Sequence, residues 1–370
     1  MLYQKSLSLL LFFLLEISFL HAQKTNSYWE ADYAYGSVFV HNNSLGHLAT
    51  SHPEFTSIAW LNSAPKSTWK QHYNYPDWGL TLLHQRFKNP ILGNVTAVNY
   101  TNKFYLLNRN NTNQINLGMG LGIGYSTKPL DFETNHQNVA ISAPFSFSVH
   151  LKVNYERLLY RNLGFSSGIL FTHFSNSGYK KPNSGINSVF LNAGLSYHPV
   201  LQEKDFYPKR EPVEKMGKHP LLLQLILEGS VHELKARLGA KPILVLGVSA
   251  HKRITQKSGL LLGAEYFHSW ANKDFADFLY HTQTEYIDRV LKDYKQVGIF
   301  VGHDLFFNRW IFDATVGYYL YNPLGETPRF YEKLGSKYRI PDSKFSVGFA
   351  IKVHGFRANY TSLGIHYQIL

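Results

Sequence analysis

Cysteine is missing altogether from the 370 residues, and methionine occurs three times. The first absence removes thiol nucleophiles, thiolate metal sites and disulfide staples together. An exported chain without staples must be held by backbone pairing, packing or a membrane. Long apolar runs are scarce too: past residue 22 no stretch of about 18 apolar residues occurs, which excludes a membrane protein built from spanning helices. The 18 His include no His-Glu-x-x-His run and no close ligand cluster, so no metal is expected. No cofactor-binding turn is found either. The Gly-x-Gly-x-Gly-x-Gly of Gly118–Gly124 has a strand's period of two, and its glycines are expected to relieve crowding inside a barrel.

What is present begins with an address. Lys5 precedes the apolar run Leu7–Leu20, and the small residue Ala22 stands before Gln23, the three-part pattern of a secretory signal peptide over residues 1–22, with Glu16 an atypical member. Aromatics make up 15% of the chain, with 25 Tyr and 26 Phe, and such rings collect where lipid meets water. The net charge is +12, but no basic stripe is interleaved with aromatics. Anionic lipid head groups are therefore the expected partner, and nucleic acid is not.

Periodicity gives the fold class. Ile115, Leu117, Met119, Leu121, Ile123 and Tyr125 alternate with Asn116, Gly118, Gly120, Gly122, Gly124 and Ser126. One greasy face opposed by a small or polar one suits a strand whose outside meets lipid and whose inside lines a barrel. Leu163, Phe165, Ile169 and Phe171, and later Leu363, Ile365, Tyr367 and Ile369, repeat the pattern. Turn residues divide the chain into about fourteen strands (12–16), counting 344–370 as one strand or two, so an all-β transmembrane antiparallel barrel is expected. Loop lengths mostly alternate short and long, as that topology needs; the exceptions are Asn62–Asp77 and Val200–Gly217, the second a possible linker. Residues 272–294 break the period, with Phe275, Phe278, Leu279, Tyr286, Val290 and Tyr294 at three- and four-residue spacing, and predict an amphipathic helix in an outer loop.

The chemistry concentrates in one segment. His173 and Ser175 are two residues apart on a predicted strand, so they share a face, and their parity is that of the apolar set Leu163–Phe171. A base beside a hydroxyl on a lipid-facing wall is the minimum for an activated serine. A polar cap on a strand end would look the same.

The run Phe171-Thr172-His173-Phe174-Ser175-Asn176, followed by Pro182-Asn183-Ser184-Gly185 and Asn187, resembles the signature of the PagL family of lipid A 3-O-deacylases, or acyloxyacyl hydrolases. The likeness covers the motif and its surroundings up to about residue 200. Residues 201–370 have no counterpart in the small eight-stranded members, which implies a longer branch, and they are expected to close the same barrel as residues 23–200.

The resemblance implies a serine esterase of the outer membrane that removes an acyl chain from lipid A of lipopolysaccharide, without cofactor. His173, Ser175 and Asn187 are its implied catalytic residues, with Asn183 and Gly185 at the oxyanion and Asn176 fixing the loop. Lys180 and Lys181 are candidates for lipid phosphate contacts. The departure is at Asn187, where the family has Glu: an amide orients an imidazole but does not stabilise the imidazolium as a carboxylate does. Asp131 or Glu133, in the preceding outer loop, could supply that charge. The rival reading is a catalytically inactive barrel, either a channel through a wide lumen or a structural protein.

Overall fold

β8 returns to pair with β1, and β16 returns to pair with β9, so the chain makes two closed eight-stranded antiparallel barrels. This corrects the expectation of a single cylinder of about fourteen strands closed by residues 201–370. The computed structural model describes residues 26–63, 69–160, 162–199, 206–210, 219–282, 293–355 and 357–369. The expected signal peptide, Pro212 of the predicted linker, the second part of the predicted helix and Leu370 lie outside the described residues. By contacts the chain forms two units: the described residues of Met1–Phe174 with Gly185–Glu211, and those of Ser175–Ser184 with Pro212–Leu370.

The first barrel runs through β1 (Ser27–Phe39), β2 (Glu54–Asn62), β3 (Asp77–Arg86), β4 (Asn94–Tyr105), β5 (Asn113–Ser126), β6 (Phe145–Tyr160), β7 (Leu163–Ser175) and β8 (Ile186–Tyr197). Alternation sets which way each residue faces. Ile123 on β5 is 62% exposed, Ile169 on β7 55% and Leu191 on β8 74%, while their neighbours Gly124, Leu170 and Ser188 or Phe190 turn inward and are buried. An eight-stranded barrel is just wide enough for its own side chains. Here Lys103 pairs with Glu30 and with Glu156 (2.6 Å), and Lys152 pairs with Asp32 at 2.8 Å and Glu30 at 3.2 Å. One pairing along, Gly120 makes room for the His150 ring: a Cβ there would lie 2.1 Å from it. Further along the barrel the filling turns apolar, with Leu45 and Leu48 of a 3-10 turn packed with Phe87, Ile141, Phe174 and Phe190.

The second barrel comprises β9 (Leu222–His232), β10 (Lys241–Arg253), β11 (Ser258–Ser269), β12 (Gln296–Phe307), β13 (Trp310–Tyr321), β14 (Phe330–Arg339), β15 (Phe345–His354) and β16 (Arg357–Gln368). Helix α1 (Trp270–Thr282) follows β11 and begins two residues before the predicted start. The strand the sequence did not disclose is β14, where Glu332 and Ser336 interrupt the outward apolar row of Phe330 and Leu334, and Lys333 and Lys337 put charge on the inward one. Both point into the lumen: Lys333 bridges Glu228 (3.1 Å) and Glu265, and Lys337 pairs with Asp313 at 3.2 Å. The tail 344–370 is two strands, split at Gly355, whose φ of +63° makes the turn. Each lumen keeps a cavity of about 20 Å³, room for roughly one water.

Candidate active site

In the first unit, three neighbouring strands bring three side chains into one row. Register places His173 of β7 opposite Asn187 of β8, and Asn187 opposite Phe39 of β1. His173 Nδ1 donates to Asn187 Oδ1 at 2.5 Å. The same amide's Nδ2 donates to His41 Nδ1 at 3.0 Å. His41 lies two residues beyond Phe39, just past the end of β1, and this hydrogen bond puts it in the row. Between His173 and Ser175, Phe174 faces the other way into the apolar core and is fully buried, which fixes the strand's face. On that inner side Thr172 donates to Gln85 at 2.8 Å and Gln85 to Ser188 at 3.0 Å. Gly185 opens the approach to β8 with a φ of +70°, and its N–H donates to Ala140 at 3.0 Å.

The proton positions follow from these contacts. With Asn187 Oδ1 accepting from Nδ1–H, neutral His173 carries its proton on Nδ1, which leaves Nε2 as a base. Asp131 does not supply the carboxylate missing from this site. Its Oδ1 accepts from the N–H groups of Glu133 (3.0 Å) and Thr134 (2.7 Å), which caps its own exposed loop, and the hydrogen-bond partner of His173 is Asn187. Glu133 is exposed in that same loop.

In the second unit, Ser175–Ser184 forms a closed loop around Asn176. That side chain is 1% exposed and holds the segment from both ends, accepting from Gly178 N–H and donating to Lys180 O, both at 2.9 Å. Its backbone N–H donates to Asn183 Oδ1 at 3.2 Å, which fixes the orientation of the Asn183 amide. Asn183 Nδ2 then donates to Ser175 Oγ at 2.8 Å, and Ser177 N–H donates to the same oxygen at 3.2 Å. Both acceptor positions of Ser175 Oγ are therefore filled, and its own proton is left to be donated.

Other residues of this unit hold the loop. Glu233 accepts from Lys181 N–H at 2.5 Å, and its own N–H donates to Gly178 O at 3.0 Å. Gly178 has a φ of +85°, and a Cβ there would meet Asn359 O at 2.3 Å. Lys180 is exposed; Lys181 is half-buried, and that burial, aided by Arg357 and opposed by Glu233, holds its ammonium below the usual lysine range.

Sequence reasoning missed His41. Its nearness to Asn187 depends on β8 closing onto β1, which a larger barrel would not do. It also missed Ser249–His251–Asp304 in the second barrel. Ser249 Oγ lies 2.8 Å from His251 Nε2, and His251 Nδ1 lies 2.7 Å from Asp304 Oδ2, the hydrogen-bond order of a hydrolase triad. All three are buried in a lumen whose cavity, lined by Ser249, holds about one water, so it gives an ester no room.

Residues 54–196 match the family described as lipid A 3-O-deacylase (PagL), and residues 222–370 match the acyloxyacyl hydrolase, C-terminal domain. No curated protein matches the chain. Among solved structures, neisserial surface protein A matches at 12% identity over 47% of this chain and 97% of that one, with a TM-score of 0.33. A mutant of the Rh. blastica porin matches at 8% identity over 93% of this chain and 100% of its own, with a TM-score of 0.21. At these scores neither likeness carries an argument about the chain. The family matches do, since one falls on each barrel: this chain belongs to the PagL-type family of lipid A 3-O-deacylases, with the acyloxyacyl hydrolase C-terminal domain as its second barrel.

Proposed function

We propose that the protein is an outer-membrane serine esterase, exported through a cleaved signal peptide, that removes an ester-linked acyl chain from lipid A. The observation that carries this is His173, held through Nδ1 by Asn187 on the outward face of the strand that ends in Ser175. Ser175 Oγ attacks the ester carbonyl as His173 Nε2 takes its proton. The oxyanion forms within reach of Asn183 Nδ2, 2.8 Å from the nucleophile. His173 returns the proton to the leaving sugar oxygen. Water, activated by the same imidazole, then frees the fatty acid and restores Ser175. Lys180, exposed in the loop, meets the lipid phosphates, with Lys181 beside it.

One observation favours a catalytically silent barrel, namely Asn187 where the family has Glu. A channel is disfavoured by lumens packed with ion pairs around cavities of about 20 Å³. The deciding experiment incubates purified protein in detergent with lipopolysaccharide of several lipid A types and reads lipid A by mass spectrometry, with His173→Ala alongside. Loss of one hydroxyacyl mass with the unmutated protein alone supports the esterase. Unchanged lipid A from folded protein overturns it.

A further inference from the structure

We propose that His41 is a positioning residue for this site: it holds the Asn187 amide in the one orientation that leaves His173 able to act as a base. The proposal rests on the esterase reading.

A glutamate at position 187 would present two equivalent oxygens to the imidazole, and either would do. An asparagine has one acceptor and one donor end, and only one suits the reaction. With Oδ1 towards His173, Nδ1 keeps its proton and Nε2 is free to receive one. Turned over, Nδ2 would donate to Nδ1, the ring proton would move to Nε2, and Ser175 would lose its base.

Something must therefore choose the amide's orientation, and the choice is visible. Asn187 Nδ2 donates to His41 Nδ1 at 3.0 Å while Oδ1 takes the His173 proton at 2.5 Å. His41 accepts at Nδ1, so as a neutral ring it carries its proton on Nε2, the opposite tautomer to His173. The row His41–Asn187–His173 is thus a directed chain of hydrogen bonds across β1, β8 and β7. It depends on the closure of the first barrel, since register sets Phe39, two residues before His41, against Asn187. In this reading the Glu-to-Asn departure is compensated by a second histidine.

The test uses the full-length protein in detergent with His41→Ala and His41→Gln, each also in an Asn187→Glu background. His41→Ala is expected to lower kcat by about tenfold or more with KM little changed, since a wrong imidazole tautomer impairs the base and not substrate binding. His41→Gln, whose Oε1 can accept the same hydrogen bond, is expected to restore most of the loss. With Glu at 187, which has no wrong face, His41→Ala should cost less than about twofold. An unchanged kcat in His41→Ala, or an equal loss with Asn and with Glu at 187, overturns the proposal.

Nitrogen-15 NMR of labelled histidines reads the same point without turnover. His173 is expected as the Nδ1–H tautomer, shifting towards Nε2–H in His41→Ala. If the unmutated protein proves inactive, the esterase reading fails by itself. An unshifted His173 tautomer in His41→Ala would still refute the role of His41.

Discussion

Asn187 holds His173 by a 2.5 Å hydrogen bond from directly across the β7–β8 hairpin, fourteen residues further along the chain. The link gives the imidazole its tautomer but no counter-charge for the imidazolium. Restoring the charge with Asn187→Glu is therefore expected to raise kcat by about 10-fold or more; in a serine protease the carboxylate-to-amide exchange costs on the order of 10⁴ through the wrong tautomer, which Asn187 avoids here. Initial rates of acyl release from lipopolysaccharide measure it. A slower Glu variant would mean that the amide is the optimised partner here.

Substitution separates the roles of Ser175 and His173 from that of the buried Ser249–His251 pair. Ser175→Ala and His173→Ala are each expected to lower deacylation by about 10³-fold or more. Ser249→Ala, inside the second barrel, should leave the rate within about twofold. Mass spectrometry of lipid A reads all three, and residual activity in Ser175→Ala at the unmutated rate would remove Ser175 from the mechanism.

Asn183→Ala tests the oxyanion. Losing a single oxyanion donor costs about 10²- to 10³-fold in kcat, and KM should hardly move because the ground-state ester gains little from that donor. An effect confined to KM would recast Asn183 as a binding residue.

Lys333→Met tests the lumen of the second barrel. It leaves Glu228 and Glu265, both buried, without their shared cation. Breaking such a pair costs about 3–5 kcal/mol, to be seen as a lower melting temperature in detergent. Unchanged melting would indicate that the carboxyl groups take up protons instead.

Conductance tests the lumens of both barrels. In planar bilayers the protein should carry no resolvable ion current, because side chains fill both lumens. Steady single-channel steps would favour the channel alternative.

How much of this was legible follows from where the information lay. The facing of β5, β7 and β8 was written in a strict period of two, as Ile123, Ile169 and Leu191 show by their exposure. The neighbourhood of His173 and Asn187 was local, since a hairpin brings together residues close in sequence. Closure was different, because the pairing of Trp29 with Tyr197 is a choice between remote edges that no local pattern records. β14 was hidden because Lys333 and Lys337 find their carboxylate partners on other strands, and alone they look like loop. His41 was hidden for the same reason as closure. The loop around Asn176 lay between: its Gly and Pro marked a turn, but the hydrogen bonds that meet on Ser175 Oγ follow from how the loop folds back, which spacing does not record.

Because β1 zips onto β8 and β9 onto β16, neither ring depends on the peptide between them to stay shut. A protease nick between Tyr197 and Leu222 would break no strand pairing within either ring. Each half should then persist as its own heat-modifiable fragment on a gel, and evolution would have been free to append or lose the second ring without unravelling the first.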